Sequence, residues 1–107
     1  MAFEALDVTL LFLSALAEVD ARLVRRDPDL ARQLRRAGSS IALNLAEGRK
    51  RAGRDQLHLY RVAAGSAAEV TTALDIALAW RHVTPAQRAA LDATLDRVRA
   101  MLYKLTH

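Results

Sequence analysis

The chain holds only two prolines, and each directly follows a residue suited to capping a helix. Asp27 precedes Pro28, and Thr84 precedes Pro85, with Gln87 three residues past the threonine. Proline fits the first helical position, where its missing N–H costs nothing. The Thr-x-x-Gln spacing lets Thr84 and Gln87 each satisfy a backbone N–H of the other. Both prolines are therefore expected to open helices rather than interrupt them. Gly48 supplies the remaining mark, ending a helix as glycine does just past a last turn. These three points divide the 107 residues into four helical segments.

Apolar spacing of three and four residues fills each segment. The first runs from about Phe3 to Arg26, with Leu6, Leu10, Leu13, Ala17 and Val24 expected on its core face. The second, capped by Asp27, carries Leu30, Leu34, Ala37, Ile41 and Leu45 up to Gly48. The third starts near Arg54 or Asp55 and continues to about Arg81, with Leu57, Tyr60, Ala64, Ala67, Thr71, Leu74 and Leu78 along it. The fourth opens at Thr84 and lines its inner side with Leu91, Leu95, Val98, Leu102 and Leu105. Connections this short make sequential helices antiparallel neighbours. The expected fold is all-α: a single domain over residues 1–107, built as an antiparallel up-down-up-down four-helix bundle. That topology gathers the loop at 48–54 and both chain ends at one pole, and sends Arg25, Arg26, Arg81 and His82 to the other.

The first helix carries a second apolar stripe, Val8, Leu11, Phe12, Val19 and Leu23. A helix apolar on most of its circumference is buried on most sides, and one bundle of this size covers only part of it. Val8, Leu11, Phe12 and Val19 are therefore expected in an interface between subunits; the alternative is a scatter of surface apolar residues, which is common.

Composition removes several classes of function. Apolar residues make up 52 % of the chain but aromatics only 5 %, and glycine and proline are too few for a disordered segment. Without cysteine there is no disulfide and no thiolate metal site. No Glu precedes a His by three residues, which di-iron bundles need, and His58, His82 and His107 fall on different segments. There is no phosphate-binding glycine loop after a strand and no His-Glu-x-x-His zinc motif. Ser39 and Ser40, beside Gly38, suit close helix contact better than nucleophilic chemistry. The expectation is a protein that is not an enzyme, with no metal and no cofactor. The opening MAFEALDV has acids where a signal peptide needs cations, and VTLLFLSALA is about half a bilayer span. The expected location is cytoplasmic, with no membrane partner.

Charge is more informative in its placement than in its total of +4. Eleven of the sixteen cations fall between Arg22 and Arg61, against four acids. Within that window Arg49, Lys50, Arg51 and Arg54 occupy one loop. Such a cluster is either a solvated face or a contact for a polyanion. Just before it, Ser40, Asn44 and Glu47 share one helix face, and Gly65 and Ser66 precede Glu69 on the next helix. Ser40, Asn44, Glu47, Ser66 and Glu69 either face water or form a buried polar network that must be fully hydrogen-bonded. Glu47 is at the negative end of its own helix dipole, an unfavourable place for a carboxylate. The third helix lacks a Ser or Thr cap and leaves free N–H groups nearby. Glu47 is accordingly expected to accept from those groups, with Asn44 bracing the turn, in an architectural rather than catalytic role.

The run QLRRAGSSIALNLAEGRKRAGRDQLHLYRVAAGSAAEV, from Gln33 to Val70, resembles the bacterial 23S rRNA intervening-sequence protein family. The resemblance rests on Leu34 to Ser40, on the helix end Asn44-Leu45-Ala46-Glu47-Gly48, and on Gly65 to Glu69 after a basic loop. The chain departs from the family at Gly53-Arg54, where Ser or Thr often opens the third helix. The resemblance implies a four-helix bundle assembled as a ring, a homopentamer. It further implies kinship with the accessory bundle proteins of retroelements, which work with a reverse transcriptase and its RNA template. It carries over no catalytic residues.

Two functional expectations follow. In the first, a ring-forming bundle binds RNA or DNA through Arg49, Lys50, Arg51 and Arg54. The aromatics fit helical stripes or chain ends better than a stacking platform, so little sequence preference is expected. In the second, the oligomer is an adaptor for a protein such as a reverse transcriptase and touches no nucleic acid.

Overall fold

Both prolines open helices. In a computed structural model, which describes residues 3–107, the chain forms α1 (Glu4–Arg26), α2 (Pro28–Gly48), α3 (Gly53–Ala79) and α4 (Pro85–Thr106). Asp27 Oδ1 accepts the Leu30 N–H at 3.1 Å, capping α2. Thr84 and Gln87 form the reciprocal box: Gln87 N–H donates to Thr84 Oγ1 at 3.1 Å, and Thr84 N–H to Gln87 Oε1 at 2.9 Å. Each such cap contributes on the order of 1 kcal/mol.

The helices pack in cyclic order, α1 against α2 and α4, and α3 against α2 and α4. The result is an up-and-down bundle 42 Å long and 22–23 Å across. Phe12, Leu34, Ile41, Leu45, Val70, Leu74, Leu91, Leu95, Val98 and Leu102 are fully buried along its axis. The expected stripes of α2 and α4 are inside, apart from a half-buried Leu105. On α3 the buried face centres on Ala63, Ala67, Val70, Leu74 and Ala77, rotated slightly from the expected stripe. α3 is the one described helix long and apolar enough to cross a membrane by length and composition; here its buried face contributes Ala63, Ala67, Val70, Leu74 and Ala77 to the bundle core.

The two stripes of α1 are the reverse of the expectation. Ala5, Val8, Phe12, Leu16, Val19 and Leu23 face the core, while Leu10, Leu11, Ala17 and Val24 are exposed and Leu6 and Leu13 half-buried. Val8, Phe12 and Val19 are thus core residues rather than subunit-interface residues; of the four proposed, only Leu11, 57 % exposed, is available to a partner. The reason lies in side-chain size. Both stripes recur every three or four residues, since Ala21 continues the outer one between Ala17 and Val24. In its second half the outer stripe offers only Ala17 and Ala21 before Val24, whereas the inner one carries Leu16, Val19 and Leu23 after the bulky Phe12 ring. The inner stripe therefore buries more apolar area and wins the core.

Three glycines have distinct packing roles. A Cβ on Gly38 would lie 2.9 Å from Leu13 Cδ2, so its absence lets α1 close on α2. Gly48 is helical rather than left-handed; it is needed because a Cβ there would lie 2.8 Å from the Tyr60 ring. The left-handed turn belongs to Gly53, at φ 58°, which starts α3 one residue before the expected position. At the opposite pole, Arg81 adopts φ 61°. His82 N–H donates to Ala77 O at 2.8 Å and Arg81 N–H to Leu78 O at 3.0 Å, a Schellman closure of α3.

Candidate nucleic-acid interface

The α2–α3 turn is tied down by backbone and by one amide. Lys50 N–H donates to Glu47 O and Arg51 N–H to Gly48 O. Gln56 Nε2 then donates to both Gly48 O at 3.1 Å and Arg51 O at 2.9 Å, crossing the turn from α3. Rigid backbone leaves the cations as the variable parts of the loop.

Those four cations differ in what they do. Arg51 Nε and Nη2 reach Glu47 Oε1 at 3.2 and 2.8 Å. The hydrogen bond and charge of Arg51 hold the Glu47 carboxyl below its ordinary pKa, and Glu47 in turn raises that of Arg51. The Arg49 guanidinium lies 5.5 Å from the Phe3 ring centroid, within cation–π range. Lys50 and Arg54 are exposed, and neither has an ion-pair partner among the described residues.

Glu47 therefore does not cap α3. The N-cap of α3 is Ala52, which offers no side-chain acceptor. An i,i+4 arginine on the same turn is closer to Glu47 than the next helix is, and charge-assisted bonds to it outcompete a neutral N–H. The start of α3 thus has no side-chain cap, with Asp55 as the acid of its first turn, beside Lys50 and Arg54.

The expected polar network is present in part. Asn44 Nδ2 donates to Ser40 O at 2.8 Å and to Ser40 Oγ at 3.0 Å. Ser66 Oγ, on α3, donates to Ser40 Oγ at 2.7 Å. Ser40, Asn44 and Ser66 thus form one chain joining α2 to α3. Glu47 and Glu69 stand outside it: both are exposed, and Glu69 lines an outer groove with Gln33, Arg36 and Gly65. Gly65 itself borders open space rather than a neighbouring helix.

Sequence reasoning missed two sets of ion pairs that join helices. Asp20, buried on α1, accepts from Arg35 Nε of α2 at 2.7 Å, and its Oδ1 has no partner among the described residues. Arg88 bridges Asp75 at 2.7 Å and Asp92 at 3.0 Å, joining α3 to α4. The Arg88–Asp92 spacing of four is visible in the sequence; Asp20 shows only as an acid interrupting an apolar stripe. Tyr103 was also missed: it is 63 % exposed on α4 and stacks on His107, ring centroids 4.0 Å apart and planes 15° from parallel.

The fold and this pole define an all-α, up-and-down four-helix bundle with a basic α2–α3 turn. The profile of the 23S rRNA-intervening sequence proteins matches residues 12–104, and the chain belongs to that family. A solved structure from Bacteroides thetaiotaomicron, described as a protein with unknown function from the S23 ribosomal protein family, has the same fold. It superposes with a TM-score of 0.86 at 20 % identity, over 95 % of this chain and 97 % of that one. No curated protein matches the chain.

Proposed function

We propose that this protein is a non-enzymatic bundle that binds RNA through the α2–α3 turn and self-associates into a ring. The observation that carries the reading is the pairing of Lys50 and Arg54, exposed and without carboxylate partners, with the uncapped start of α3. Backbone N–H groups at a helix start and unneutralised cations together favour phosphate oxygens. Arg49 adds a third cation. Arg51 adds a fourth whenever phosphate displaces Glu47. In a cyclic ring each subunit contributes one such turn about a common axis, which multiplies a contact that is weak in a single copy.

Ring assembly draws on the outer stripe of α1, where Leu10 and Leu11 are 50 % and 57 % exposed. The same stripe supports the second reading, an adaptor that presents apolar surface to another protein. Salt titration of RNA binding separates the two. A phosphate-directed site loses affinity linearly in log–log form as salt rises; an adaptor retains no RNA even at low salt.

A further inference from the structure

We propose that the Tyr103–His107 stack is a docking site for one unpaired base of a single RNA strand. The two rings border a groove of about 190 Å³ between α3 and α4. Its deepest lining is the buried Ala67 of α3 and Leu102 of α4, with Ala64 and Ala68 at the α3 side, and Arg99 of α4 stands one turn from Tyr103. Small side chains on α3 leave the aromatic pair uncovered, which is why Tyr103 is largely exposed although it follows the buried Leu102. His107 is held in place: its Nδ1 lies 3.0 Å from Tyr103 O and 3.1 Å from Thr106 Oγ1. The stack is thus prearranged, and a base can extend it.

The occupant follows from the charges around it. Arg54, His58 and Arg61 recur on α3 at steps of four and three, and Ala64 and Ala68 continue the same face. All three are exposed. An exposed row therefore leads from the basic turn to the groove, and Arg99 lies beyond. Arg54, Arg61 and Arg99 have no ion-pair partner among the described residues. Backbone phosphates along this row place a nucleotide beside the ring, where base–aromatic stacking is tolerant of sequence. Duplex bases are already stacked on each other and are not available to Tyr103. This assignment rests on the reading that the basic pole binds RNA, and extends it from phosphate to base.

The test is fluorescence anisotropy with a labelled oligoribonucleotide, single-stranded and as a duplex of equal length, on the wild type, Tyr103→Ala and Tyr103→Phe. Tyr103→Ala is expected to weaken single-strand binding by about fivefold or more and to leave duplex binding unchanged, while Tyr103→Phe keeps wild-type affinity. If Tyr103→Ala binds the single strand as the wild type does, the base site is overturned and the phosphate reading stands. If Tyr103→Ala weakens strand and duplex equally, the residue acts through the fold and the base site is again overturned. If the wild type binds neither probe, the RNA-binding reading itself falls, and the base site with it.

Discussion

Arg51 folds back onto Glu47, its Nη2 2.8 Å from Oε1, so one cation of the basic turn is neutralised by a residue in the last turn of α2. Removing that carboxylate should free the arginine for phosphate. Glu47→Gln is therefore expected to tighten RNA binding and to steepen its salt dependence by up to about one unit of slope. Its effect on stability is of opposite sign. A carboxyl whose pKa is lowered on folding stabilises the protein above its unfolded pKa. That contribution fades as the pH falls below about 4.3 and is gone once the lowered value is passed. Melting curves of the two proteins should differ slightly at neutral pH and converge in strong acid. A Glu47→Gln variant with weaker RNA binding would contradict this account.

The inner stripe of α1 gives a second prediction. Phe12→Ala should cost about 3–5 kcal/mol in denaturant unfolding, as truncation of a fully buried ring does. Leu10→Glu combined with Leu11→Glu should leave helicity intact but move sedimentation toward the monomer, because a dry interface would receive unpaired charges. A wild-type protein that is monomeric at micromolar concentration argues against the ring.

That helix also shows where the sequence was readable. α2 and α4 each carry one apolar stripe, so only one face can be buried, and Leu34, Ile41, Leu91 and Leu95 are placed correctly from spacing alone. α1 carries two, and choosing between them required weighing side-chain size in its second half, where one stripe has Ala17 and Ala21 and the other Leu16, Val19 and Leu23, rather than counting leucines. The caps at Asp27 and Thr84 were legible because capping is local. Glu47 was not, because its partner was decided by a contest between a neighbouring arginine and a distant helix start. Asp20–Arg35 and Ser40–Ser66 join different helices, and their pairing depends on the rotation of each helix about its axis. Tyr103 was hidden for the same reason: its exposure follows from the alanines of α3 that face it.

A third prediction concerns Gly48. Alanine there would press its methyl against the Tyr60 ring edge, at 2.8 Å before relaxation. The ring is buried and has little room to yield, so Gly48→Ala should destabilise by about 1–3 kcal/mol. Adding Tyr60→Leu should make the glycine substitution cheaper in a double-mutant cycle. Equal costs in both backgrounds would mean that the ring is not what excludes a side chain.

The turn at the other pole predicts a gain. Arg81 pays a left-handed penalty that glycine does not. Arg81→Gly should raise stability by up to about 1 kcal/mol, measured by chemical denaturation. A loss would show that the arginine side chain contributes more than its backbone costs.

The central claim is that the cations of the α2–α3 turn hold RNA, and filter binding at low salt tests it most directly. Replacing Arg49, Lys50, Arg51 and Arg54 together by alanine should reduce retention of RNA and flatten its salt slope, while circular dichroism and sedimentation remain those of the wild type. Equal retention of RNA by the wild type and the four-alanine variant would contradict the account.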